Sequence, residues 1–333
     1  MNRYCRLVAI INDAWPAFGK NDLRGAGKLR GCQGVDLLVK TFRDAIRTSD
    51  FVVTAELPLH PGTNVEDIRH IVAVLQPFVD AIQIPDNTST EPHMSPLAAA
   101  SFVLQAGMDP VVQMNCRDRN RIALQSDLMG AAALGVTSLI VSRGEKLPAA
   151  HKLRIKGVFD IGAQRLLATA QAIGANPRLI AAPGFLLGSN VTVIDPPDDW
   201  SADGVDVKAG AGSKFVQSQP CLDVAVLRKY MAALVARKKL ERISVIVQVP
   251  LLESMDAVRD MQRMRRPLLI PQELVARLER ADDFASEAEL ICVEVVRALT
   301  AIPGISGANI LYRGDPAPVA RMLDSAIGNS ERP

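Results

Sequence analysis

Short apolar runs alternate with longer segments of helical period along most of this 333-residue chain. The runs predict strands at 51–57, 81–84, 109–115, 138–141, 179–187, 215–219, 243–252 and 309–312. Between them, apolar residues recur three and four apart, as in Ile68, Ile71, Val72 and Leu75 of a helix predicted at 65–78. Further helices are expected at 96–105, 161–173, 224–240, 271–278, 285–299 and 318–326, with 202–212 partly helical. The segment 113–145 shows the unit most fully. A strand ends in a polar turn where Asp118 or Asn120 can cap a helix. Leu124, Leu128 and Ala132 mark that helix's inner face, and Gly135 stands where a left-handed C-terminal residue is wanted. A β-branched strand follows and stops at Ser142, Arg143, Gly144 and Glu145.

Strands that are apolar without interruption are buried on both faces, and alternating βα units demand a parallel sheet. Eight such units most simply close into an α/β fold of the (β/α)8 barrel type over residues 51–330. An open doubly wound sheet is the alternative, but no Gly-x-Gly-x-x-Gly follows the first strand. Residues 1–50 form an N-terminal extension. Gly19 to Gly34 has no period and reads as a mobile arm, and 35–47 has the spacing of a leading helix that would lie across one end of the body.

Composition narrows the function classes. Basic residues number 38 and acidic residues 36, so no basic footprint for nucleic acid exists. Five cysteines lie far apart with no Cys-x-x-Cys pair, and four histidines show no ligand spacing. That argues against disulfides and a metal site and fits a reducing cytoplasm. No signal peptide is expected, and no run reaches the roughly 20 apolar residues of a membrane helix. A soluble cytoplasmic protein follows, with a homo-oligomer expected and residues 1–40 available as a contact for a partner subunit.

In a barrel of this kind chemistry gathers at the C-terminal ends of the strands. There the sequence supplies Glu56, Asp86 and Asn87, Gln113 through Arg117, Arg143 and Glu145, Asn190 and Thr192, and Gln219. Six successive polar strand ends favour a pocket over a solvated rim. Glu56 lies two residues past Thr54, on the same face of its strand. A carboxyl partly buried there would be raised toward neutrality as a general acid, or else be paired with a cation as a structural group. Lys208 is either a phosphate ligand or an ordinary surface lysine.

Five segments, in order and spacing, carry a resemblance: TAELPLHPG, RDRNRIALQSDLMGAAALG with VSRGE, VFDIGAQRLL and VKAGAGSKFVQSQPCLD. From about residue 51 to about 252 the chain resembles the methylenetetrahydrofolate reductases, flavin enzymes of one-carbon metabolism and methionine biosynthesis. The resemblance implies an eight-stranded barrel holding FAD, reduced by NADH or NADPH in a ping-pong cycle, with a folate substrate taking its place on the same flavin face. Glu56 would protonate N10 of 5,10-methylenetetrahydrofolate. Glu145 falls where the family has a pterin-contacting Asp, and Gln219 on a pterin-binding Gln. Arg143, Gly144, Phe159, Asp160, Thr192 and Lys208 fall on flavin-contact positions. Pro85 stands at a flavin position where Thr is usual, Gln113 where many members have His, and the C-terminal motif reads NILYRGD, with Arg313 near the family's folate-tail Arg. The implied activity is reduction of 5,10-methylenetetrahydrofolate or its reverse. A flavin-free member passing hydride directly, and a barrel serving only as a subunit, are the alternatives.

Overall fold

Eight parallel strands close on themselves in sequence order, β1 pairing with β2 and finally with β8. The computed structural model describes residues 41–87, 92–145, 156–176, 184–263 and 267–328. The chain divides into Met1–Leu38 and Val39–Pro333. The first unit, with the expected arm, lies outside the described residues. The strands are β1 Val52–Glu56, β2 Ala81–Ile84, β3 Pro110–Asn115, β4 Ser138–Ser142, β5 Leu186–Asn190, β6 Phe215–Pro220, β7 Ser244–Pro250 and β8 Ile305–Leu311.

The strand period of two divides each strand between helices and barrel lumen. Val53, Ala55, Ile82, Ile84, Val112 and Met114 face outward into the main core. Val52, Ala81, Val111, Ile140, Leu186, Phe215 and Ile246 form a separate apolar layer at the N-terminal end of the lumen. Helix α1 (Phe42–Thr48) closes that end, with the Phe42 ring edge-on to Phe215 at 5.2 Å. The Phe42 N–H donates to Asp109 Oδ2 at 2.7 Å, and the Arg43 guanidinium donates to the carbonyls of Thr137 and Gly184.

Above this layer the lumen turns polar. Thr54 Oγ1 donates to Asn309 Oδ1 at 2.8 Å, and Gln83 Nε2 donates to Thr54 Oγ1 at 3.1 Å and Gln217 Oε1 at 2.6 Å. These side chains are buried, so each bond offsets a desolvation cost.

Between β3 and β4, helix α4 (Arg121–Leu134) follows α2 (Val65–Leu75) and α3 (Pro96–Gln105) in chain order. Asn120, not Asp118, caps α4 by accepting from the Ala123 N–H at 3.0 Å, and Gly135 ends it at φ 85°. Four elements depart from the sequence pattern, one of them a helix at Met255–Gln262 where none was expected. The strand expected at 179–187 forms at Leu186–Asn190, with 177–183 outside the described residues. The Gly188 in it looks like a breaker, yet a Cβ there would meet the Phe215 ring at 2.2 Å. The last strand begins at Ile305 rather than 309, because Gly307 lets it approach β1: a Cβ would sit 2.2 Å from the Val52 carbonyl oxygen. The helix expected through 240 stops at Ala236, where Lys238 takes φ 53° and a 3-10 turn follows.

Candidate active site

The C-terminal mouth of the barrel is built from strand ends outward. On β1 the inward series Val52, Thr54, Glu56 carries the carboxyl of Glu56 to the top of the polar layer, buried at 7% exposure. Burial pushes its pKa up to about 7, against a single opposing hydrogen bond from Gln113 Nε2 on β3, 2.8 Å from Oε2. No cation pairs with it among the described residues. A carboxyl perturbed by desolvation rather than held ionised by a salt bridge can keep and deliver a proton near neutral pH.

The ends of β2 and β3 are tied by one buried carboxylate. Asp86 Oδ2 accepts from the Asn115 N–H at 2.6 Å and from Arg119, while Asn115 Nδ2 donates to the Asp86 carbonyl at 2.6 Å. Arg119 continues to Asp127 at 2.8 Å. Desolvation raises the Asp86 pKa, and Arg119 acts against it. Arg117 donates to Asp118 and to the Asn87 carbonyl, where Asn87 turns with φ 48°.

The turn after β4 rests on this frame. Gly144 has φ 79°, and a Cβ there would lie 2.8 Å from Arg117 Cβ, so this close approach requires glycine. It leaves Arg143 and Glu145 exposed on the rim. The Arg143 guanidinium lies 5.0 Å from the Phe159 ring centroid and makes no hydrogen bond among the described residues. Phe159 is held by its own N–H to the Cys116 carbonyl at 3.1 Å. Asp160 Oδ2 accepts from the Arg121 N–H at 2.9 Å, which places an anion at the start of α4.

On the far side, Thr192 is exposed past β5, and Lys208 sits in the short helix Asp203–Gly210, donating to the Gly204 carbonyl at 3.0 Å. Gln219 Oε1 accepts from the Val193 N–H and its Nε2 donates to the Val193 carbonyl, both at 2.9 Å. Pro85 is buried beside Asp86.

A sequence model described as methylenetetrahydrofolate reductase matches residues 65–307, well over half of the chain. The chain belongs to the methylenetetrahydrofolate reductase family. That membership gives it a methylenetetrahydrofolate reductase-type function, an oxidoreductase acting on a folate. A search of the curated proteins finds no match. Among solved structures, an uncharacterised Clostridium thermocellum protein that binds two copies of 5-methyl-5,6,7,8-tetrahydrofolic acid shares the fold. It is 14% identical at a TM-score of 0.61, over 85% of this chain and 96% of that one. A tetrahydromethanopterin reductase from Methanopyrus kandleri matches at 10% identity and TM-score 0.48, over 83% of this chain and 98% of that one. An aldolase designated QR15 matches at 10% identity and TM-score 0.41, over 81% and 91% respectively.

In this family member the structure joins Glu56 to Gln113, Arg143 to Phe159, and Gly144 to the strand-three end. Lys208 and Thr192 make no contact with that group among the described bonds. Of the Asp86–Asn115–Arg119 tie, Asp86 and Asn115 stand among the polar strand ends read from the sequence, whereas Arg119 and the bonds that join the three do not. The turn formers of PDN and NCRDR mark the place, but which Asp meets which Arg depends on strand order. Among the described residues no group of His, Cys, Asp or Glu could hold a metal ion, and no helix is long and apolar enough to cross a membrane.

Proposed function

We propose that the barrel reduces 5,10-methylenetetrahydrofolate to 5-methyltetrahydrofolate, or runs the reverse oxidation, with FAD between folate and NADH or NADPH, and that Glu56 is the general acid. The observation that carries this is the buried, cation-free Glu56 carboxyl, raised to about 7 at the barrel mouth.

The rim has a donor set that fits a flavin dinucleotide. Arg143 offers a guanidinium without a hydrogen-bond partner among the described residues, stacked on Phe159, and Gly144 packs the turn against Arg117 and Asn115. Arg143, Gly144, Phe159, Thr192 and Lys208 would hold the cofactor, with Lys208 turning from the Gly204 carbonyl to a phosphate. Pro85 contributes surface but no N–H. Bound there, FAD supplies a reversible two-electron carrier.

The protein's own part is proton placement and orientation. Glu56 gives its proton to N10, the bond from the methylene carbon to N10 breaks, and an N5 iminium results. Hydride added to that carbon makes the methyl group. Glu56 is left as a carboxylate, which the Gln113 N–H stabilises. Glu145 and Gln219 would bind the pterin. Gln219 spends one amide hydrogen and one lone pair on Val193, and keeps one of each for a ligand.

Absorption spectroscopy of FAD-reconstituted protein tests the reading. NADH or NADPH should bleach the flavin anaerobically, and 5,10-methylenetetrahydrofolate should restore the oxidised spectrum. Folate-dependent nicotinamide oxidation by flavin-free protein would assign direct hydride transfer instead, and no reaction in either form would overturn the proposal.

A further inference from the structure

The bond between Gln113 and Glu56 spans β3 and β1, with β2 between them. At the same level β2 offers Gln83, the register partner of Glu56. The Gln83 amide nitrogen is spent below, on Thr54 and Gln217. Gln113 is therefore the one hydrogen-bond partner of the Glu56 carboxyl among the described residues.

The charged groups on adjoining strand ends are committed elsewhere or turned to solvent. Asp86 past β2 is paired with Arg119, Arg117 past β3 with Asp118, and Arg313 past β8 is exposed. None of them moves the ionisation of Glu56, which burial sets first and Gln113 second.

An amide differs from the other side chains that could fill this place. It does not titrate, and by rotating about its last bond it presents either an N–H or a carbonyl oxygen. We propose that Gln113 is a positioning residue for Glu56, donating an N–H to the carboxylate and accepting the O–H of the protonated acid, so that the carboxyl keeps one orientation through both states. Its use in turnover rests on Glu56 being the acid, as proposed above. The consequence is a site that ionises as a single group. A histidine at 113 would add a second proton and couple the two titrations.

Carboxyl titration in flavin-free, folate-free protein tests this directly. With ¹³C-glutamate labelling, the Glu56 signal is assigned by its loss in Glu56→Gln and followed with pH. The unaltered protein should give a one-proton curve with its midpoint near 7. Gln113→Leu removes the donor to the carboxylate and should raise the midpoint by about one pH unit or more. Gln113→Asn, which keeps the polarity but is too short to reach, should raise it in the same direction and serves if the leucine variant does not fold. Gln113→His restores an N–H and should bring the midpoint back down while broadening the curve into two coupled steps. An unchanged midpoint in the leucine and asparagine variants, with FAD affinity falling instead, would overturn the proposal and place Gln113 on the cofactor. Because neither folate nor turnover enters this measurement, its outcome stands apart from whether Glu56 is the acid.

Discussion

Gln219 and Val193 are joined by two hydrogen bonds of 2.9 Å, the side-chain amide of one closing on both main-chain groups of the other. The pairing fixes the segment after β5, including the adjacent Thr192, to the end of β6. At that end the register with β7 slips between Gln217 and Pro220. Gln219→Ala would strand a buried N–H and carbonyl at Val193, at a cost of about 1–3 kcal/mol for each. Chemical denaturation should show the loss, and FAD and folate affinities should fall together. A variant of unchanged stability would mean the pairing does not hold this segment.

Gly188 faces the ring of Phe215 across β5 and β6, with no room for a methyl group. Gly188→Ala should destabilise the barrel by about 1–3 kcal/mol through overpacking. Adding Phe215→Leu should recover part of that loss, since the two side chains share one space. Urea melts of the single and double variants measure the coupling, and additive losses would show that the clash is relieved elsewhere.

The same two glycines that shape the barrel hid parts of it in the sequence. Apolar runs and helix periods revealed eight βα units, because burial on both strand faces is a property of composition alone. Gly188 and Gly307 interrupt such runs, and their reason lies in neighbours distant in the chain, Phe215 and Val52. The site divided in the same way. Glu56 stood out as a carboxylate within an apolar strand, on the same face as Thr54. Its partner Gln113 lies 57 residues away and is reached only once β1, β2 and β3 take their order. Gln219 was legible as a strand-end residue, but its bond to Val193 depends on where the segment after β5 runs.

Burial of Glu56 also predicts a pH dependence of stability. Its pKa rises from 4.5 to about 7 on folding, so the folded protein binds the extra proton between those values. That stabilising linkage is complete below about 4.5 and is lost as pH rises through 7. Glu56→Gln, which cannot ionise, should therefore be the more stable protein above pH 7, by up to ~3 kcal/mol at about 1.4 kcal/mol per pKa unit. The difference should shrink as the pH is lowered. Thermal melts across that range check it, and a variant less stable at high pH would contradict a desolvated carboxyl.

Lys208 donates to the Gly204 carbonyl of its own helix at 3.0 Å. Lys208→Ala should weaken FAD binding by a charge-assisted bond, about 1.5–3 kcal/mol. Titration of the apoprotein with FAD measures this, and equal affinity would remove Lys208 from the cofactor site.

In the proposed reaction Glu56 is needed where N10 takes a proton and nowhere else. Stopped-flow spectroscopy of Glu56→Gln in its two half-reactions tests that most directly. Flavin reduction by NADH or NADPH should proceed at close to the rate of the unaltered protein. Reoxidation by 5,10-methylenetetrahydrofolate should be lost, slowed by at least the ~100-fold that removal of a general acid brings. Equal slowing of both half-reactions, or normal reoxidation by the folate, would contradict the assignment of Glu56 as the acid.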